Sequence, residues 1–226
     1  MKSLKILFIL LLCIIALTAP VHAQWKGTWK AQLKNKDTFS IHNLSPVDER
    51  VCWASTINFG FNDSLWVYNT SNKNIFYKTI DGGKTWQQGT IPIQDAHNSD
   101  KIVALSDKIA WSMFMGGSNK LFKTSDGGKT WVNIPTPLSQ TESFLNEAHF
   151  WSLARGILIG DPRNGYFEIY QTFTGGQAWQ RISESSIPSP LPDEFGLETL
   201  LVFEGNSCYF ATTKGRVFAS DRKSVV

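Results

Sequence analysis

An octapeptide that recurs at a near-fixed interval constrains this chain more than any other feature. Thr79-Ile80-Asp81-Gly82-Gly83-Lys84-Thr85-Trp86 returns 45 residues later as Thr124-Ser125-Asp126-Gly127-Gly128-Lys129-Thr130-Trp131. A worn copy, Thr172-Phe173-Thr174-Gly175-Gly176-Gln177-Ala178-Trp179, follows after a further 48. A period in this range marks a supersecondary unit that buries its core only by stacking on its neighbours. Other columns keep the same register. Tyr77, Phe122, Tyr170 and Phe218 form an aromatic column, and Thr79, Thr124, Thr172 and Ser220 a hydroxyl column, so a fourth unit is present although its octapeptide is broken. Upstream, a hairpin in each of the first three units shares a basic turn residue: Arg50, Lys108 or Arg155. Each unit reads strand, tight turn, strand, looser hairpin, strand, Gly-Gly turn, strand. Four antiparallel strands in about 45 residues make the blade of a β-propeller. The fold class is all-β, with about four four-stranded blades present.

The octapeptide has a mechanical reading. An Asp-x-Gly step between short strands is a hairpin turn in which glycine supplies positive φ and the carboxylate caps open backbone N–H groups. Thr79, Asp81, Gly83, Thr85 and Trp86, their counterparts Thr124, Asp126, Gly128, Thr130 and Trp131, and Gly176 with Trp179 are therefore read as structural. The Trp buries a large apolar face between adjacent sheets.

These octapeptides resemble the Asp-box (BNR repeat) consensus, Ser/Thr-x-Asp-x-Gly-x-Thr-Trp, and the resemblance runs from Phe39 to about Ser220. The family holds sialidases, other glycoside hydrolases, sortilin-like receptors and photosystem II stability/assembly-factor-like proteins. The chain is most similar to the last branch in Val47-Asp48-Glu49-Arg50-Val51-Cys52-Trp53-Ala54, in Gly160-Asp161-Pro162 with Phe167-Glu168-Ile169-Tyr170, and in Gly215-Arg216-Val217-Phe218. The resemblance implies that the boxes lie on the outer rim, between third and fourth strands, away from the functional face.

Residues 1–23 read as a secretory signal peptide and 24–226 as the propeller. Lys2 and Lys5 precede an apolar run from Ile6 to Leu17, and Val21-His22-Ala23 is a small-x-small cleavage site. The expected location is secreted or periplasmic, with no membrane span in the mature chain. Without Lys2 and Lys5, 20 basic side chains face 19 acidic ones, a balance that implies no nucleic-acid partner. Cys52 and Cys208 each sit beside an aromatic residue and read as small core residues, with a disulfide as the alternative. At the ends, Lys26-Gly27-Thr28-Trp29 looks like the tail of a box, and Ser220-Asp221-Arg222-Lys223-Ser224-Val225 like a box two residues short. Either the N-terminal strand completes the last blade, or the chain is the front part of a larger, incomplete ring. The abrupt loss of the last box favours truncation at the C-terminus.

The innermost strand of each blade lines the channel, so ligand sites are sought there. Aligned on the basic turn, His42, Asp100, Glu147 and Glu198 fall in one column, as a ring of ionisable groups or as ordinary strand starts facing water. Asp161 and Arg163, in the hairpin Gly160 to Gly165, form a second candidate, and the proline-rich loop Ser183–Glu194 a third. A glycoside hydrolase would draw its acid and base or nucleophile from Asp100, Glu147 and Glu198. A sialidase is disfavoured, since neither Ile-Pro step, Ile91-Pro92 nor Ile187-Pro188, carries the expected arginine. His42, His97 and His149 lack partners at zinc spacing, and no metal or cofactor is implied. Two readings remain: a secreted, non-catalytic propeller that binds a protein or glycan through its channel face and top loops, which is favoured, and a glycosidase using channel carboxylates.

Overall fold

The structure is a computed structural model that describes residues 28–33, 39–62, 65–68, 74–93, 101–114, 120–138, 144–205 and 207–220. The expected signal peptide, Asp100, His97 and the broken box after Ser220 lie outside the described residues. The chain falls into two units, Met1–Ala31 and Gln32–Val226, and every described strand belongs to the second.

Sixteen described strands form four antiparallel sheets, each the contribution of one sequence repeat. Blade one pairs β1 (Phe39–Pro46), β2 (Cys52–Asn62), β4 (Asn74–Thr79) and β5 (Gln87–Ile91) in that order, with β3 (Leu65–Tyr68) hairpinned onto the overhanging end of β2. Blade two runs β6 (Lys101–Ala104), β7 (Ala110–Phe114), β8 (Lys120–Thr124), β9 (Val132–Ile134). Blade three runs β10 (Leu145–Phe150), β11 (Gly156–Arg163), β12 (Tyr166–Thr172), β13 (Gln180–Arg181). Blade four runs β14 (Gly196–Glu204), β15 (Ser207–Thr212), β16 (Val217–Ala219). The first strands follow one another side by side, β1 next to β6, β6 next to β10, β10 next to β14. This is the arrangement of a four-bladed β-propeller.

Middle strands buried on both faces read as near-continuous apolar runs, and the blades pack through them. Between blades one and two, Trp53 stacks on Phe76 at 5.3 Å, and Trp131 meets both edge-on at 6.4 and 5.6 Å. Between blades two and three, Trp111 lies flat on Phe150 at 4.0 Å. Between blades three and four, Phe167, Phe210 and Phe218 form a three-ring cluster with centroids 4.7 to 5.2 Å apart. Each such ring, fully buried, contributes on the order of 2–3 kcal/mol through apolar area alone. Lys78 adds a polar latch. Its ammonium sits 4.8 Å over the Trp53 ring and donates to the carbonyls of Asp107 and Gly127 in the next blade.

The box turns join third and fourth strands in blades one to three, on the side of each sheet remote from the first strand. Thr124 Oγ1 accepts the Gly128 N–H at 2.9 Å and donates to Asp126 Oδ1 at 2.9 Å. Asp126 in turn accepts the Lys129 and Thr130 N–H groups and, at 2.6 Å, the Thr130 hydroxyl. Asp81 repeats the arrangement with Thr79, Gly83 and Thr85. The Thr85 and Thr130 hydroxyls, with the backbone donors, hold both carboxyls down at a pKa of about 2. The second glycine is dictated twice over. At Gly128 φ is +87°, and a Cβ there would lie 2.3 Å from the Phe76 ring of the preceding blade.

The first glycine N–H donates to a carbonyl on the facing turn: Arg50 (2.9 Å), Lys108 (2.9 Å) and Ala154 (2.8 Å). The turn column therefore passes through Ala154, and Arg155 stands one place later. Because the contact uses a carbonyl, the side chain at that place is unconstrained, and a basic residue there is no guide to register.

Candidate functional site

The four first strands supply the channel lining, and side chains knit them together. The exposed edge of β6 has its Ile102 N–H met by Asn43 Oδ1 at 3.1 Å and its Ala104 N–H by Ser45 Oγ at 2.9 Å, both from β1. Between blades three and four the tie is Asp161. Its Oδ1 accepts Asn146 Nδ2 at 2.8 Å and the Gly196 N–H at 3.0 Å. Asp161 thus joins the starts of β10 and β14. Arg163 closes β11 next to a two-residue turn, Asn164-Gly165, with both φ angles positive, and its carbonyl accepts Arg181 Nη2 at 3.0 Å.

Three first strands slip register at the candidate positions. The ladder shifts between Ile41 and Asn43 in β1, between Leu145 and Glu147 in β10, and between Gly196 and Leu201 in β14. His42, Asn146 and Glu198 lie in these slips. Such bulges re-aim side chains and are common beside functional sites.

Of the described residues of the sequence column, His42 and Glu147 do not stand level. Glu147 faces Ile159, Lys101 faces Met113 and Asn43 faces Ser55, three equivalent rows, so Glu147 is level with Lys101 and Asn43. His42 lies one place earlier. The displacement follows from the turn at Ala154, which moves the third repeat by one residue. Glu147 is fully buried, forms an ion pair with Lys101, and accepts the Ala148 N–H at 2.9 Å. Burial raises its pKa, against the pull of the Lys101 charge. Nearby, His149 lies flat on Phe203 at 4.0 Å, and burial drops its pKa to about 4, so the ring is neutral.

Glu198 is different. It is open to solvent, yet the chain around it raises its pKa by desolvation; His42 works against that rise and Asp161 adds to it. His42, Asp161 and Glu198 thus share one electrostatic neighbourhood, separate from the closed Lys101–Glu147 pair.

Sequence reasoning missed two partners. Lys101 follows Asp100 directly and was hidden by the one-residue offset. Arg216 anchors the loop Ser183–Glu194: Glu194 accepts its Nη2 at 2.5 Å and Nε at 2.9 Å, together with the Thr212 hydroxyl and the Leu191 N–H. These donors, Arg216 first, hold Glu194 at a pKa of about 2. The loop is pinned at its acidic end, and its 3₁₀ turn, Glu184–Ser186, leads into buried Ile187. Cys52 and Cys208 are both free thiols, and burial pushes Cys208 up to about 12. Among the described residues, no group of three His, Cys, Asp or Glu side chains is placed to hold a metal ion, and no helix is long and apolar enough to cross a membrane.

No known protein-family profile and no curated protein sequence matches the chain. Solved structures do. YCF48 bound to D1 peptide superposes with a TM-score of 0.51 at 18% identity, over 85% of this chain and 57% of that one. YCF48 from Cyanidioschyzon merolae gives 0.55 at 13%, over 80% and 51%. The GH74 enzyme of Niastella koreensis gives 0.56 at 15%, over 82% and 29%. The chain thus spans little more than half of the two YCF48 chains and under a third of the enzyme. At these identities the likeness is one of fold, and that fold, the β-propeller, is common to a peptide-bound protein and an enzyme.

Proposed function

We propose that the chain is an exported, non-catalytic propeller of the Asp-box type that binds a protein segment, in preference to a glycan, at the Glu198 end of its channel. One observation carries this reading. Of the described channel carboxylates in the sequence column, Glu147 is neutralised by Lys101 and enclosed, whereas Glu198 is open and has a raised pKa. A carboxylate destabilised as an anion gains most from an incoming cation, so the partner segment carries a Lys or Arg at this point. A YCF48 chain of the same fold was solved with a peptide, which supports a protein partner. The box turns support the Asp-box assignment, and the leader-like first 23 residues support export.

The test is calorimetric titration with extended peptides differing only in a central Lys or norleucine. The Lys peptide binds more tightly, and Glu198→Gln weakens it by at least about tenfold. Binding also weakens as pH falls through the Glu198 pKa, because protonation removes the negative charge. Equal affinity of wild type and Glu198→Gln for the Lys peptide rejects the reading.

One arrangement favours the glycosidase alternative. Glu198, with its raised pKa, lies in the field of a second carboxylate, Asp161, the pattern of an acid beside a base. Release of reducing sugar from a polysaccharide, abolished by Glu198→Gln, would replace the binding reading with this one.

A further inference from the structure

Lys78 and Lys123 hold the same place in consecutive blades and meet different surroundings. Each pairs across its sheet with a tryptophan, Trp53 or Trp111, and sets its ammonium 4.8 Å over that ring. Lys78 goes on to donate to the Asp107 and Gly127 carbonyls of the next blade, at 3.0 and 2.8 Å. Burial lowers its pKa, and the Asp107 and Asp126 carboxylates work against that. Lys123 has neither kind of partner. Among the described residues its ammonium meets no hydrogen-bond acceptor, and burial lowers its pKa with no carboxylate opposing it.

The sequence accounts for the difference. The facing turns, matched through Lys108 and Ala154, put Leu153 where Asp107 stands one blade earlier. In the third box Thr174 stands where the second has Asp126, and Gln177 where the second has Lys129. Both carboxylates that face Lys78 are therefore replaced by uncharged residues in front of Lys123. The wear of the third box leaves a half-buried cation without its anions.

Packing differs at the same place. In blade one Phe76 lies across Gly89 and reaches Gly128 of the second box, and a Cβ on either glycine would meet the ring at 2.3 Å. In blade two the equivalent rung pairs Leu121 with Ile134. Beside it, between the second and third box turns, opens a hollow of about 310 Å³ with Lys123 in its wall. Val132 and Ile134, on one face of β9, give it an apolar side. Ser125 and Gln177 also line it, both exposed and both without a hydrogen bond among the described residues. Asp126 stands there too, but its carboxylate is already taken up by four donors of its own turn. Its charge still repels, so the hollow suits a single negative charge better than several.

We propose that this hollow binds a monocarboxylate joined to a short aliphatic group. Lys123 takes the carboxylate, Ser125 and Gln177 add donors, and Val132 with Ile134 covers the aliphatic part. A charge-assisted hydrogen bond to the ammonium replaces the water that burial has removed from it. The volume lies at the small end of ligand sites, enough for a group of this size. A polypeptide ending in an aliphatic residue offers this chemistry, and so does a free fatty acid. The box turns stand remote from the first strands, so the inference is independent of the reading of the channel.

Amide NMR titration of the isotope-labelled chain tests it. The probes are N-acetyl-leucine for a peptide end, N-acetyl-leucinamide as its uncharged match, and hexanoate for a fatty acid. N-acetyl-leucine shifts the amides of Val132, Ile134, Gly175 and Gln177 to saturation, and its uncharged match binds at least about tenfold more weakly. Lys123→Met keeps the aliphatic stem over Trp111 and removes the charge, weakening N-acetyl-leucine at least about tenfold, whereas Lys123→Arg retains binding. Val132→Glu changes an exposed position, keeps the wild-type far-UV spectrum and abolishes binding by repulsion. Saturable binding of hexanoate in place of N-acetyl-leucine upholds the site and assigns it to free acids. Absence of saturable shifts with both acids overturns the proposal. So does equal affinity for the uncharged match, or binding that survives both Lys123→Met and Val132→Glu.

Discussion

The second and third box turns have the same backbone and different chemistry. In both, a threonine hydroxyl at the start accepts the N–H of the second glycine, Thr124 from Gly128 at 2.9 Å and Thr172 from Gly176 at 3.0 Å. Two positions on, they diverge. Asp126 gathers the Lys129 and Thr130 N–H groups and the Thr124 and Thr130 hydroxyls, whereas Thr174 accepts the Ala178 N–H at 2.8 Å, donates to the Ala178 carbonyl at 3.3 Å and shares a hydroxyl contact with Thr172. The closing tryptophans diverge too. Trp131 is buried against Trp53 and Phe76; Trp179 is half-buried and spends its N–H on the Pro135 carbonyl at 3.2 Å. The fold of this turn therefore tolerates loss of the carboxylate. What it keeps is the glycine pair, the first hydroxyl and the indole.

Replacing the indoles gives the largest contrast. Trp131→Ala empties a closed interblade site and is expected to cost about 3–5 kcal/mol in denaturant unfolding, and Trp179→Ala roughly 2–3 kcal/mol because its site is open on one side. Equal losses would show that exposure does not separate the two turns. Next comes Asp126→Ala, which leaves four donors, the Thr124 and Thr130 hydroxyls and the Lys129 and Thr130 N–H groups, without their acceptor and lowers Tm more than Thr174→Ala, which deprives the Ala178 N–H. A smaller effect appears in the acid range. Asp81 and Asp126 have folded pKa values near 2, below the ordinary 3.8, so their stabilisation is complete above pH 3.8 and is lost as pH falls toward 2. In Asp126→Asn the midpoint of unfolding should depend less on pH across that window; an unaltered slope would rule out the carboxylate as its source. The smallest change is Thr174→Asp with Ala178→Thr, which rebuilds the intact turn and should raise Tm slightly while adding the acid dependence that the third turn now lacks.

The architecture could be read from the sequence because its signals are local and repeated. Thr79, Thr124 and Thr172 mark the same hydrogen bond three times, and the aromatic column Tyr77, Phe122, Tyr170, Phe218 falls on equivalent rungs of four sheets. The channel was harder to read. Its alignment rested on Arg50, Lys108 and Arg155, whose role belongs to a carbonyl and places no demand on a side chain; the true third member is Ala154. One residue of error put Glu147 with Asp100, where the fold pairs it with Lys101. Asp161 looked like a ligand contact because a turn-rich hairpin surrounds it. Its task of joining Asn146 to Gly196 spans two repeats, and no local pattern announces a contact of that range.

The register slips in β1, β10 and β14 bear on how such a molecule can change. A residue inside a ladder is bound to two neighbours and to the packing of a whole blade, so altering it disturbs the scaffold. A residue within a slip and open to solvent, such as His42 or Glu198, sits outside those constraints, whereas Asn146 in the third slip is buried and tied to Asp161. Two of the four innermost strands, β1 and β14, thus hold an interchangeable position near the axis. New recognition chemistry can be written there one blade at a time while the stack beneath it stays the same.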